Sequence, residues 1–395
     1  MITPSFGLTA TERVLPKLAL DFTTGSLDSR VTFTRTTDAT HPATYINSIG
    51  VLTAATNNEA RFDYDPVTLV CKGLLIEESR TNLATYSQSV GGTGWTTYIQ
   101  GTGVTPVVVL NAGTAPDGSN NASKVTLDKG VGVTSGDRSL LQKSVSGVTN
   151  GATYSASIYV KAFDVADVGK QIRLTADNMG ATQVVLTSSW QRVVFTGAAV
   201  ATTVSVGVEV RGTNAASADV LVWGAQLEAG AFATSYIPTT TAALTRNADV
   251  AVMTGTNFSD WFNATEGTFV ASYSNKAIGI VIRVMQDSNN LIQITQTSTT
   301  QTTCSIRKFG TFVASFIFTA PESTPHTGSI SYKLNNIAGS VDGQSVLTSG
   351  SGLIPSPTYM EIGSTAGVYF ANGHIESIRF YSQRVTNQEV QSLSK

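Results

Sequence analysis

The stretch Val204-Ser205-Val206-Gly207-Val208-Glu209-Val210-Arg211 places a valine at every second position, with a small or charged residue between. Successive side chains of an extended chain point to opposite faces, so one face of this segment is all valine and the other is polar. A β-branched apolar face with a polar reverse is the pattern of a half-buried antiparallel strand. The same alternation recurs from Tyr154 to Lys161, from Ile278 to Val284 around Arg283, and from Ile330 to Leu334 around Ser331 and Lys333. Turn chemistry lies between these runs at Pro116-Asp117-Gly118, Asp342-Gly343 and Asn372-Gly373. Helical periodicity is scarce. Short strands with frequent turns give an all-β fold, read here as two antiparallel β-sandwich (jelly-roll) domains. The C-terminus departs from the pattern, because Thr386-Asn387-Gln388-Glu389 spells a capping box ahead of Val390 and Leu393, which predicts a short amphipathic helix. Phe258, Trp261 and Phe262, at i, i+3 and i+4, predict one further helical turn.

Boundaries follow composition. Ile237-Pro238-Thr239-Thr240-Thr241-Ala242-Ala243 is Thr-rich without alternation and reads as a link. It divides a sandwich over 81–245 from a second over 246–395. Residues 1–80 carry Pro4, Pro16, Pro42 and Pro66 among short apolar runs. They are expected to form an N-terminal docking segment that buries its apolar residues on something else.

With 395 residues and 41% hydrophobic content the chain can close a core in each domain. Lys and Arg total 25 against 27 Asp and Glu, a net charge of −2. Only 13% of residues are charged, about half the usual fraction. The surface is therefore left to Ser, Thr, Asn, Gln and Gly, and no basic run exists to displace counterions from a polyanion. Nucleic acid and anionic membrane are excluded as expected partners. No stretch reaches 18 apolar residues, and Met1-Ile2-Thr3-Pro4-Ser5-Phe6-Gly7 lacks a cationic leader pattern, so neither membrane insertion nor secretion is expected. Cys71 and Cys304 fall in different predicted domains and suit a reducing cytosol.

Motifs for group-transfer chemistry are missing: there is no G-x-S-x-G elbow, phosphate loop or dinucleotide fingerprint. His41, His326 and His374 stand apart from one another, and no calcium-loop pattern is present. A jelly roll can still gather a structural Ca²⁺ from scattered carbonyls that no motif reveals, but no cofactor is indicated. Asp63 and Asp65 would share a strand face, as the carboxylate pair of a glycosidase does. Against that, Asp65-Pro66 reads as a turn that Asp63 caps. Glu77 and Glu78 would point to opposite faces of a strand. Trp190 and Trp223 lie within strand runs and read as core. Trp95 and Tyr98 follow Gly91-Gly92-Thr93-Gly94, a loop-like stretch, and are the candidate ligand-binding pair for stacking on a sugar; the competing reading has both rings closing the end of the sandwich. The sequons at Asn121, Asn257 and Asn263 need a secretory route and are taken as silent.

Three segments bring a resemblance. Leu20-Asp21-Phe22-Thr23-Thr24-Gly25-Ser26-Leu27-Asp28-Ser29-Arg30-Val31-Thr32-Phe33-Thr34-Arg35, Arg61-Phe62-Asp63-Tyr64-Asp65-Pro66 and Gly73-Leu74-Leu75-Ile76-Glu77-Glu78-Ser79-Arg80-Thr81-Asn82-Leu83 resemble the opening of a group of tailed-bacteriophage virion proteins. The middle, with Tyr154 to Ala162, Trp190-Gln191-Arg192 and Trp223-Gly224-Ala225-Gln226-Leu227-Glu228, is similar to jelly-roll carbohydrate-binding modules. The last third, through Tyr332-Lys333-Leu334-Asn335, Val341-Asp342-Gly343 and Gly373 to Tyr381, resembles laminin-G/concanavalin-A-like lectin domains. The resemblance implies a non-catalytic virion protein, a tail fibre or capsid decoration made in the host cytoplasm. Its expected partners are other virion proteins, host surface polysaccharide and further copies of itself. The alternative is a capsule depolymerase or glycosidase, but the E-x-D-x-x-E strand of lectin-like glucanases is absent from residues 246–395, so hydrolysis does not carry over.

Overall fold

The computed structural model describes residues 15–395, Ala366 excepted. It is all-β, built from antiparallel sheets with a short C-terminal helix. The chain falls into two compact units: residues 33–250, and residues 251–395 together with those up to Thr32.

In the 33–250 unit two five-stranded sheets face each other as a jelly-roll sandwich. The first runs Gln191–Ala198, Thr153–Ala162, Ser217–Ala229, Ala122–Asp128, Val104–Gly113; the second runs Gly180–Val185, Gln171–Asp177, Thr203–Arg211, Arg138–Ser146, Thr96–Gln100. Val204, Val206, Val208 and Val210 are fully buried in the core between them, with Val125, Leu127, Val220 and Val222. Leu141 and Leu174 lie directly opposite Val208 on the neighbouring strands, so the apolar row continues across the sheet. Each such side chain contributes about 1.5–3 kcal/mol by leaving water, and a one-residue slip of register would turn every valine outward.

The outer face of the first sheet carries a second apolar cluster of Tyr159, Leu221, Trp223 and Tyr236 with Leu52 and Ala122. Trp223 and Tyr236 lie 4.7 Å apart between ring centroids, and the Trp223 indole N–H donates to Asn121 Oδ1 at 2.7 Å. Trp223 is core, as its place in a strand run predicts, and this face is covered rather than open.

Residues 33–80 are built into this unit by charge as well as by packing. Arg35 Nη1 pairs with Asp249 at 2.8 Å, Arg61 Nη2 with Asp249 at 2.5 Å and with Glu77 at 2.8 Å, and Arg246 Nη1 with Glu77 at 3.4 Å. Side chains of Arg35, Arg61, Arg246 and Asp249 have no exposed surface. Backbone groups complete the set, Glu77 N–H donating to Asp249 Oδ2 and Arg35 donating to the Glu59 carbonyl, both at 2.8 Å. The expected docking segment is thus divided. Its residues from Phe33 onward belong to the first unit, and Leu18–Asp21 pairs with Gly373–Tyr381 in the other, Leu18 opposite Phe380 and Asp21 opposite Ser377. Residues 1–14 lie outside the described residues.

The Thr-rich stretch 237–243 is not a bare connector either. Ile237 N–H donates to Gln226 Oε1 at 2.8 Å, Thr239 N–H to Ser87 Oγ at 2.8 Å and the Thr239 hydroxyl to the Ala84 carbonyl at 2.5 Å. Threonine here satisfies buried backbone, and the chain crosses between units near residue 250 instead.

In the 251–395 unit one sheet runs Leu347–Ser349, Ile337–Val341, Pro325–Lys333, Glu266–Asn275, Gly373–Tyr381; the other runs Val250–Thr254, Tyr359–Ile362, Gly279–Asp287, Asn290–Ser298, Gln301–Lys308, Thr311–Thr319. The predicted turn forms a helix over Thr256–Ser259, and Phe258, Trp261, Phe269 and Phe380 make one aromatic core. The C-terminal helix is Asn387–Leu393 with the full capping box at Thr386 and Glu389. Val390 is buried against Val270, Ala338 and Tyr381. Thr386→Ala should lower the thermal stability of this unit by about 1 kcal/mol, the usual cost of a lost N-cap; an unchanged melting curve for the full chain would show the cap to be ornamental.

Candidate functional site

Directly opposed residues on antiparallel neighbours share a sheet face. On the outer face of the second sheet of the 33–250 unit, register places Tyr98 opposite Leu140, Leu140 opposite Glu209 and Glu209 opposite Arg173, one row across four strands. Tyr98 is 44% exposed. Arg138 lies with its guanidinium carbon 5.4 Å from the Tyr98 ring centroid. It donates through Nη2 to both carboxylate oxygens of Asp177, at 2.9 and 2.8 Å, and through Nε to Glu209 Oε2. Arg173 Nε stands 3.5 Å from Glu209 Oε1, and the Thr175 hydroxyl donates to Asp177 Oδ1 at 2.9 Å. Burial pulls the Arg138 guanidinium down, but Glu209 and Asp177 outweigh it and hold the group above its ordinary pKa.

Arg138 sits opposite Arg211 and Asp177 sits opposite Ser205, so the guanidinium–carboxylate pair spans the rows between. One of those rows is Gln142, Gly207 and Thr175. Glycine leaves its centre bare, and a Cβ there would stand 2.1 Å from the Leu141 carbonyl oxygen. Gln142 Oε1 is buried beside it without a hydrogen-bond partner. The face therefore offers an exposed ring, an ordered guanidinium plane and a partly exposed carboxylate at Asp177. This is the composition of a polyol-recognising surface: apolar C–H faces stack on the ring and hydroxyls bond to fixed polar groups.

Trp95 does not join it. It is 8% exposed, belongs to the core between the sheets and keeps its indole N–H buried without a partner. The expectation of exposure from the glycine-rich stretch is corrected here. Trp95 N–H closes a turn onto the Gly92 carbonyl at 3.1 Å, and the ring then drops inward. Two residues three apart on extended chain face opposite ways, so inward Trp95 and outward Tyr98 are consistent, and spacing alone held that signal. Arg138, Glu209, Asp177 and Gln142 escaped the sequence reading because their meeting depends on register between strands far apart in the chain.

The other candidates resolve as structure. Asp65 Oδ1 accepts from the N–H groups of Val67 and Thr68 at 3.0 and 2.9 Å, and Asp63 accepts from Ile46 N–H at 2.8 Å: these are turn and strand contacts. Trp190 donates to the Thr114 carbonyl at 3.1 Å and packs on the outer apolar cluster. His326 bonds Asp342 at 2.6 Å and His41 pairs with Asp38 at 3.1 Å. Among the described residues no group of three or more His, Cys, Asp or Glu side chains is placed to hold a metal ion. Neither Cys71 nor Cys304 forms a disulfide, and burial pushes the Cys304 thiol far above its ordinary value.

No family model and no curated protein matches the chain. Solved structures that align with it include carbohydrate-binding or lectin-like domains and glycosidases. A Trypanosoma rangeli sialidase mutant displaying trans-sialidase activity aligns at 14% identity over 36% of this chain and 25% of its own, with a TM-score of 0.29. Domains LG4-5 of the mouse laminin α1 chain align at 9% identity over 77% of this chain and 95% of theirs, TM-score 0.26. The CBM22 tandem of Paenibacillus barcinonensis Xyn10C aligns at 9% identity over 77% and 97%, TM-score 0.27. The chain thus spans about a quarter of the length of that sialidase. Likeness at this level carries no functional argument, and the fold rests on the sheets and register above.

Proposed function

We propose that this chain is a non-catalytic glycan-binding protein carried on the outside of a tailed-phage particle, as a tail fibre or capsid decoration, where it adheres to host surface polysaccharide. The observation that carries the glycan reading is the row Tyr98, Leu140, Glu209, Arg173 beneath Arg138, which sets an exposed ring beside a fixed polar network. Its carboxylates are committed to guanidinium pairing, which suits holding hydroxyls better than moving protons. The virion reading rests on the sequence resemblance of residues 20–35, 61–66 and 73–83. Single sites of this kind bind at about millimolar strength, near −4 kcal/mol, and many copies on one particle raise that through avidity.

A glycan array with the full chain, followed by calorimetry on the best oligosaccharide, tests the site. Tyr98→Ala should weaken binding roughly tenfold, the equivalent of one stacked ring. An array that stays blank, or affinity unmoved by the substitution, removes the reading. Release of new reducing ends from host capsule would overturn its non-catalytic half. Electron cryomicroscopy of the intact particle decides between tail, capsid and neither.

A further inference from the structure

The 251–395 unit, together with Leu18–Asp21, holds a recess that the glycan reading of Tyr98 does not use. It is an open groove of about 420 Å³, lined by Ala19, Asp21, Thr23, Ser272, Glu376, Ser377 and Arg379 among others. That volume lies within the range of small-molecule sites, roughly 300–1,000 Å³. Register builds it. Asp21 faces Ser377, Ser377 faces Ser272 and Ala19 faces Arg379, so these residues share one sheet face. The pairing shifts between Ser272 and Tyr273, skipping Glu376, and such a bulge re-aims a side chain. Asp21 is held in place by accepting from the N–H and hydroxyl of Thr23, at 3.0 and 2.6 Å through the same carboxylate oxygen.

Arg379 is the anomaly. Its Nε is buried without a hydrogen-bond partner, and its guanidinium makes no ion pair among the described residues, although Asp21 and Glu376 line the same groove. A guanidinium presents a rigid fork of donors that matches a carboxylate two bonds at a time. Other arginines share an unpartnered Nε, but their guanidinium groups still bond elsewhere: Arg61 pairs with Asp249 and Glu77, Arg192 donates to Ser157 and the Thr234 carbonyl, and Arg307 donates to the Ser288 carbonyl.

We propose that this groove binds a carboxylate-bearing sugar, a uronic acid residue within a polysaccharide, with Arg379 clamping the carboxylate and Asp21 and Glu376 accepting ring hydroxyls. The two acids decide against a multiply charged anion. With Arg379 they leave the groove at net −1 when both are ionised, which repels a phosphate dianion but tolerates a single carboxylate whose hydroxyls donate to the acids. Burial raises the Glu376 carboxyl, with His374 opposing. Ser272, Ser377 and Thr23 supply hydroxyls that donate or accept as the ring requires.

The test is calorimetry on the full chain with a glucuronate-containing tetrasaccharide, its carboxyl-reduced counterpart and inorganic phosphate. Expected is binding of the acidic tetrasaccharide, at least tenfold weaker binding of the reduced one, and none of phosphate. Arg379→Gln should abolish the difference between the two saccharides, and Arg379→Lys, which keeps the charge and the packed stem but not the fork, should recover only part of it. Tyr98→Ala should leave it intact, which separates this site from the sandwich face. Equal affinity for the reduced saccharide, binding of phosphate at similar strength, no binding of the acidic saccharide by the parent chain, or a preference that survives Arg379→Gln in a folded variant would each overturn the proposal.

Discussion

Asp249→Asn should destabilise the 33–250 unit by about 3–5 kcal/mol, because it leaves two buried guanidinium groups without their shared counter-charge. Asp249 pairs with Arg35 through one oxygen and with Arg61 through the other, and all three side chains are fully buried. Arg61 keeps Glu77, but Arg35 has no second carboxylate within ion-pairing distance among the described residues; its remaining partners are the Thr37 hydroxyl and the carbonyls of Thr56 and Glu59. Asparagine preserves shape, so the loss reads charge rather than packing. Three of the four tryptophans, Trp95, Trp190 and Trp223, lie in this unit, and their fluorescence in urea reports its transition in the full chain. A loss under about 1 kcal/mol would mean that water reaches the cluster and screens it as it does at a surface.

That cluster also marks the limit of what the sequence discloses. Period-2 valines at 204 to 210 name their strand without help, the capping box at Thr386 names its helix, and a tryptophan inside a strand run such as Trp223 is core on size alone. Each of these signals is local. Arg35, Arg61, Glu77, Arg246 and Asp249 look like ordinary surface charges, because nothing nearby in the chain shows that they meet. Residues 33–80 lack an apolar pattern of their own, which is why the segment is expected to pack on something else; the ion pairs that tie Arg35, Arg61 and Glu77 to Arg246 and Asp249 have no local signature. The stretch 237–243 misleads for a related reason, since threonines that resemble linker composition are hydrogen-bonding buried backbone. Glu209 shows the same thing at the candidate site. Alternation puts it on the polar, outward side of its strand, which is right, yet it has 0% exposure because Arg138 and Arg173 close over it. Tyr98 was legible as an exposed ring; its polar company was not.

Gly207→Ala is the substitution that should couple fold and site most directly. A Cβ at this position would stand 2.1 Å from the Leu141 carbonyl oxygen and 2.8 Å from the Gln142 Cα, and backbone, unlike the end of a side chain, has nowhere to turn. The Thr203–Arg211 and Arg138–Ser146 strands would have to part where Val206 and Val208 fill the core. Overpacking of a core costs about 1–3 kcal/mol, and a backbone collision belongs at or above the upper end. The same displacement would disturb the outer face, where Gly207 lies in the span between Arg138 and Asp177. Both effects should therefore appear together: a fall in stability of about 3 kcal/mol and a loss of glycan affinity at least as large as that of Tyr98→Ala, although residue 207 contributes no side chain to a ligand. Stability near that of the parent would show that the strands part without cost. A destabilised but folded variant with unchanged affinity would place the binding surface away from this face.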